Sequence, residues 1–138
     1  MLEVSSTDIT YVEGRRTSDQ PVSGLGVNIT LEDVVGRGQE LEISFTYTVT
    51  YSENVGSLLM RGKLLAKGEL AECQEASRKW REAKRLPREF GEEVLNTINY
   101  LCGTNGTFVS RAVNLSPPML PPKIELTEDG AEGTSKPQ

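Results

Sequence analysis

The sequence predicts an α+β fold in which a four-stranded antiparallel sheet is followed by two helices. Apolar residues recur with a period of two in the first half of the chain, and then with a period near 3.6 between residues 73 and 102. A chain of 138 residues fits a single domain. We expect this domain to span residues 1–126, and the small polar residues 127–138 to form a disordered acidic tail.

The first predicted strand covers residues 2–13, where Val4, Ile9 and Tyr11 alternate imperfectly with polar residues. The stretch from Gly14 to Gly26 contains three glycines and few apolar residues, which predicts a long loop. A loop of this length is often functional, and disorder is the alternative interpretation.

Three further strands show clearer alternation. The second begins at Val27, the third runs from Leu41 to Tyr51 with threonines on its polar face, and the fourth runs from Leu58 to Leu70. Leu59 and Leu65 fall on the polar face of the fourth strand. Either another subunit covers them or the pattern is simply irregular there.

Two helices are predicted after the strands. Cys73, Ala76, Trp80 and Ala83 form one apolar stripe, and the charged residues between them are typical of a solvated face. Pro87 separates this helix from a second, more apolar one, whose stripe runs from Phe90 to Leu101. We expect the second helix to end at the glycines of residues 103–106.

The segment after the second helix combines apolar residues with four prolines. Residues 107–126 read TFVSRAVNLSPPMLPPKIEL, and the prolines exclude an ordinary helix or central strand. We expect an extended path that closes the core. The alternative is that the spaced prolines dock on aromatic grooves of other proteins.

Catalytic and cofactor chemistry is disfavoured by composition. The chain has no histidine, which removes the commonest general base and the commonest metal ligand. Cys73 and Cys102 lack the spacing of a zinc or redox pair and are interpreted as buried free thiols. We therefore predict no enzyme activity, no cofactor and no metal site. An enzyme that uses carboxylates alone is the remaining catalytic alternative.

The charge and the hydropathy pattern limit the partners. The net charge of −5 repels nucleic acid phosphates, so no nucleic acid partner is predicted. No run of about 18 apolar residues is present, and the first residues lack the pattern of a signal peptide. We expect a cytoplasmic protein without membrane insertion.

The order of elements resembles the SecB family of protein-export chaperones. The local likeness is best over residues 86–124, where a Pro-led helix, the pair Thr107-Phe108 and the pair Asn114-Leu115 precede a Pro-rich end. A weaker likeness covers residues 2–15. The acidic sheet residues that the bacterial chaperone offers to its motor partner SecA have no recognisable match here, so a SecA partnership is not predicted.

The resemblance implies a function in protein binding and transport. A SecB-like holdase is a homotetramer, a dimer of dimers, that binds unfolded or export-bound polypeptides in apolar grooves without ATP. The alternative is a dedicated chaperone or scaffold for a single partner such as an antitoxin. Candidate client-binding residues are apolar groups beyond those that a core needs, and each has a place in the core or a subunit interface as its competing interpretation: Leu59, Leu65, Trp80, Phe108, Val109 and Met119.

Overall fold

The computed structural model describes residues 1–118 and 132–135. The elements follow in the order β1 Glu3–Arg16, β2 Leu25–Arg37, β3 Glu40–Tyr51, β4 Gly56–Lys67, α1 Leu70–Ala83, α2 Arg88–Ala112 and β5 Glu132–Ser135. The predicted four-stranded antiparallel sheet followed by two helices is confirmed. A short fifth strand is added to it near the end of the chain.

The sheet has the strand order β1-β4-β3-β2-β5, and every neighbouring pair is antiparallel. Strands β2 and β3 form a hairpin in which Arg37 pairs with Glu40. The two-residue turn begins with Gly38, whose φ of 61° lies in the left-handed region that favours glycine in such turns. Strand β1 lies beside β4 and forms one edge of the sheet.

One face of the sheet supplies most of the core. Every second residue of β3 from Leu41 to Tyr51 is almost completely buried, and β2 and β4 repeat this alternation. Both helices cover this inner face, α1 mainly over β2 and β3 and α2 mainly over β1 and β4. The opposite face, which we call the open face, carries the polar residues of the pattern.

Helix α1 has the predicted apolar stripe, with Cys73, Ala76 and Trp80 buried. It begins with a capping box, in which the backbone N–H of Glu69 donates to Glu72 over 3.1 Å. It ends at Lys84, whose φ of 55° is left-handed and whose N–H donates to Trp80. Ala83 is exposed, so the stripe is one residue shorter than predicted.

Helix α2 is longer than the sequence predicts, because it continues through Gly103 and Gly106 to Ala112. A glycine inside a helix costs about 1 kcal/mol relative to alanine. A Cβ on Gly106, however, would lie 2.9 Å from Pro118 Cγ and 3.4 Å from Met60 Cε. The glycine is required by a close contact rather than by a helix end, and the prediction of a helix stop was wrong.

Three strand boundaries also differ from the predicted ones. Strand β1 extends to Arg16 and β2 starts at Leu25, so the predicted loop from Gly14 to Gly26 is reduced to residues 17–24. The fourth strand ends at Lys67, and Leu70 opens α1 instead of closing β4. Pairing with β4 extends β1, since Arg16 still pairs with Gly56.

Arg16 holds the loop of residues 17–24 in place. Its guanidinium donates from Nε to the carbonyl of Ser18 and from Nη2 to that of Gln20, both over 2.9 Å, and from Nη1 to the carbonyl of Asn114. The loop backbone is also tied to the end of β3, where Ser52 N–H donates to Gly24 over 2.9 Å. These bonds make the loop an ordered part of the domain.

The expected closing segment is present as far as the structure describes it. Asn114, with a φ of 57°, ends α2, and Leu115 is buried against Gly56. The hydroxyl of Tyr51 donates to the carbonyl of Ser116, and Pro118 is buried on Gly106. Met119 and the later prolines lie outside the described residues.

The predicted tail of residues 127–138 is described only for β5. The four residues of β5 pair with Val27–Thr30 of β2. This pairing differs from the disorder that is predicted for the whole tail. For the other residues of the tail, disorder stays a prediction, as does the division of the chain at residue 126.

A substitution at Gly62 tests the close approach of β1 and β3 to β4. A Cβ at this position would lie 2.2 Å from the backbone oxygen of Asp8 and 2.8 Å from Phe45 Cζ. We expect Gly62→Ala to lower the free energy of unfolding by about 1–3 kcal/mol, as overpacking does, in urea denaturation. Gly26→Ala is the matched control in β2, since no atom lies within 4 Å of its added Cβ. Equal unfolding free energies for the two variants would contradict this packing.

A substitution at Arg16 tests the anchoring of the loop. Charge-assisted hydrogen bonds contribute about 1.5–3 kcal/mol each, so Arg16→Ala should speed amide exchange in residues 17–24 by about tenfold or more. Hydrogen exchange read by mass spectrometry measures this. Arg15→Ala is the control, because the Arg15 side chain is exposed and its guanidinium lies 3.4 Å from the exposed carboxylate of Glu13. If the two variants exchange alike, Arg16 does not order the loop.

Candidate functional site

The six predicted client-binding residues do not form one site. Leu59 and Leu65 are half-buried on the open face of the sheet, opposite the helices. Trp80 is only 3% exposed and belongs to the core under α1. Phe108 and Val109 lie on α2 instead of in an extended segment, and Met119 lies outside the described residues. Of the five predicted residues that the structure describes, Phe108 alone is largely exposed, at 75%.

Phe108 is part of an outward stripe on α2. Tyr100, two turns before it, is 67% exposed, and the stripe also contains Thr97, Leu101 and Thr104. At 3.6 residues per turn these positions fall within about 100° of arc, and at 1.5 Å per residue they extend over about 16 Å. We call this stripe the α2 face.

The α2 face carries no charge. Residues 94–110 contain no Asp, Glu, Lys or Arg, although half of this segment's circumference faces away from the core. A solvated helix face is normally charged or strongly polar, as the outer face of α1 is. An uncharged outward face with two exposed aromatic rings is typical of a protein-binding surface.

The threonines of the α2 face are less polar than their composition suggests. The Thr97 hydroxyl donates to the carbonyl of Glu93 over 2.8 Å, and the Thr104 hydroxyl donates to that of Tyr100 over 2.6 Å. Asn105 bonds the carbonyl of Leu101 in the same way, over 2.8 Å. These donors are satisfied inside the helix. A partner that covers this face therefore contacts methyl groups and aromatic rings. It displaces few hydrogen bonds from these side-chain donors to water.

The sequence analysis missed Tyr100 and placed Phe108 in the wrong element. The uncharged run was visible in the sequence, but the glycines at 103 and 106 were interpreted as a helix end. With the helix ended there, Tyr100 and Phe108 could not be assigned to one face. The lack of charge over residues 94–110 was the signal that would have linked them.

A cleft of about 280 Å³ lies between β1 and the starts of both helices. Its apolar lining is Met1, Leu2, Pro87 and Phe90, and four carboxylates surround it: Glu72, which pairs with the amino terminus, and Glu75, Glu89 and Glu93. Glu72 and Glu89 lie in the first turns of their helices, where a negative charge stabilises the helix dipole. Stabilisation of the helix dipoles thus explains why Glu72 and Glu89, two of the four carboxylates, lie at this cleft.

Glu42 on the sheet and the two cysteine thiols of the core have shifted pKa values. On the open face, Lys63 Nζ lies 2.9 Å from Glu42 Oε1 and holds the pKa of that carboxyl below its usual range. Burial raises the pKa of the Cys102 thiol to about 12 and also raises that of Cys73. Raised thiol pKa values are the opposite of what an activated nucleophile needs.

Within residues 1–118 and 132–135, no three His, Cys, Asp or Glu side chains come together as a metal site would require. Neither helix in that part of the chain has the length and apolar character needed to cross a membrane.

Comparisons with known proteins bear on the fold. No protein-family model and no curated protein matches this sequence. Among solved structures, the chain is similar to the SecB-like chaperone Rv1957 of Mycobacterium tuberculosis, solved in complex with a ChAD peptide from the antitoxin HigA1. The TM-score is 0.57, with 8% sequence identity over 87% of this chain and 89% of the other.

The fold is SecB-like. At this level of identity the likeness shows the fold alone, and it agrees with the resemblance inferred from the order of elements. That neighbour is a SecB-like chaperone, and its structure includes a peptide of another protein.

Proposed function

We propose that this protein is an ATP-independent chaperone that binds unfolded or export-bound polypeptides, a SecB-like holdase. The observation that carries the proposal is the α2 face, an uncharged helix surface with Tyr100 and Phe108 exposed. Apolar burial is non-directional, so such a surface accepts many sequences and requires no catalytic group. The SecB-like fold supports this function.

Phe108 is the central residue of the proposed client site. Aromatic rings that are exposed in the free protein and covered in the complex supply much of the energy of protein interfaces. Leu59, Leu65, Val109, Trp80 and Met119 stay predictions, and Leu59 and Leu65 would form a separate surface on the open face.

The test is suppression of client aggregation without nucleotide. We expect the purified protein to prevent aggregation of a chemically denatured client at near-stoichiometric ratio. Phe108→Lys should raise the amount of protein required by about fivefold or more, since truncating an interface hot spot costs about 1–2 kcal/mol or more. Because Phe108 is exposed, the midpoint of urea unfolding should stay unchanged.

Val35→Lys is the matched control for this experiment. Val35 is an exposed apolar residue of β2, away from α2, and its substitution adds the same positive charge opposite Glu42. This variant should suppress aggregation like the unmodified protein. The proposal fails if the unmodified protein does not suppress aggregation, or if the two lysine variants behave alike.

A dedicated chaperone for one partner is the second candidate function. The specific observation that favours it is the similar structure, in which a SecB-like chaperone is bound to an antitoxin peptide. Affinity purification from the native host distinguishes the two functions. One stoichiometric partner would select the dedicated chaperone, and a broad set of unfolded chains would select the general holdase.

We also propose that the protein is a cytoplasmic homo-oligomer, a dimer or a tetramer. Within the described residues, the 14-residue strand β1 has no neighbour on its outer side, and an unpaired edge of this length is usually covered. We expect light scattering to give a mass of at least twice the 15.2 kDa of the chain. A monomer at micromolar concentration would contradict the oligomer.

A further inference from the structure

The other edge of the sheet is covered only in part. Strand β2 spans Leu25–Arg37, and β5 pairs with its residues Val27–Thr30. In the described part of the chain, the remaining residues of this edge have no strand beside them. The backbone groups of an open edge accept an added strand of almost any sequence, because the hydrogen bonds are made by the backbone.

Strand β5 is poorly suited to hold this edge. Its sequence Glu-Gly-Thr-Ser has only four residues, includes a glycine and contains no apolar residue. In the register, Gly133 pairs with Ile29 and Ser135 pairs with Val27. Ile29 and Val27 belong to the core, at 1% and 5% exposure. The two register positions beside the core are thus taken by residues with little or no side chain.

We propose that the Val27–Thr30 edge of β2 is a binding site for an extended polypeptide segment, and that β5 occupies this edge until such a segment displaces it. The preferred segment has β-branched or aromatic residues opposite Val27 and Ile29, and polar residues opposite Asn28 and Thr30. Directly opposed residues in an antiparallel pair share one side of the sheet, so the apolar residues would lie on the core side.

The differences between β5 and a foreign strand decide which of the two occupies the edge of β2. Backbone hydrogen bonds over Val27–Thr30 are equivalent for both, so they favour neither. A foreign segment gains from its larger side chains and from additional pairing at Leu25 and Gly26, which β5 leaves uncovered. Strand β5 gains from being part of the same chain, which gives it a high effective concentration. It therefore acts as a competitor that apolar segments overcome and polar segments do not.

This inference rests on the proposed function in one respect, namely that the ligand is a polypeptide. It concerns a different surface, since β2 lies at the opposite side of the sheet from β1 and β4, which α2 covers. The two proposals can consequently fail separately.

The test measures binding of a labelled peptide to the full-length chain. The probe is a fluorescein-labelled peptide of seven alternating valines and threonines with a lysine at each end, followed by fluorescence anisotropy. Gly133→Pro removes a backbone donor from β5 and should tighten binding by about tenfold, the factor expected if β5 leaves the edge free one-tenth of the time. The double variant Gly133→Val with Ser135→Val should hold β5 more firmly and weaken binding.

Two controls isolate the edge. Glu128→Pro changes the same terminal region outside β5 and should leave peptide affinity unchanged. A probe with N-methylated amides at alternate residues cannot form the ladder and should not bind to any variant. Circular dichroism should show that every variant is folded, so that a change in affinity reports on the edge and not on unfolding of the domain.

The outcomes separate the two proposals. Equal affinity for all β5 variants, equal binding of the N-methylated probe, or no binding of either probe would overturn the inference. If Phe108→Lys abolishes probe binding while the β5 variants do not change it, the α2 face is the only polypeptide site. If the β5 variants shift affinity as expected but aggregation is not suppressed, the edge site stands and the holdase function fails.

Discussion

Burial of the inner face of β3 is the interaction on which the rest of the structure depends. Its alternate residues from Leu41 to Tyr51 are almost completely removed from water, and they lie in the middle of the sheet. Neither β2 nor β4 can cover them, so both helices must lie across this face. The positions of both helices over the sheet follow from that requirement.

Because α2 must cover the inner face of the sheet, one side of this helix is buried and the other side is exposed. Its inner stripe, from Phe90 through Val94 and Ile98 to Cys102, belongs to the core. Its outer stripe contributes only the partly buried Leu101 to the core, yet it lacks charge and exposes two aromatic rings. Folding of the single chain does not account for these rings, because they remain exposed in it. An uncharged helix face with exposed aromatic rings is typical of a protein-binding surface.

Both proposed binding surfaces are ones that the packing of the sheet and helices leaves uncovered. The α2 face offers apolar contact without direction, whereas the edge of β2 offers directed backbone hydrogen bonds. The two thiols are buried with raised pKa values, and Glu42 is paired with Lys63, which are the surroundings of structural residues. The two proposals assign a polypeptide ligand to each of these surfaces.

The sequence alone determined the strands, the amphipathic character of both helices and the lack of histidine chemistry, because these depend on residue type and local periodicity. It also contained the uncharged run of residues 94–110. Only the tertiary structure decided that α2 passes through Gly106, since the atoms that require a glycine there belong to Met60 and Pro118. It likewise decided that β1 extends to Arg16 and that Leu59 and Phe108 lie on different surfaces. These features depend on contacts between segments that are distant in sequence, so a local sequence pattern does not predict them.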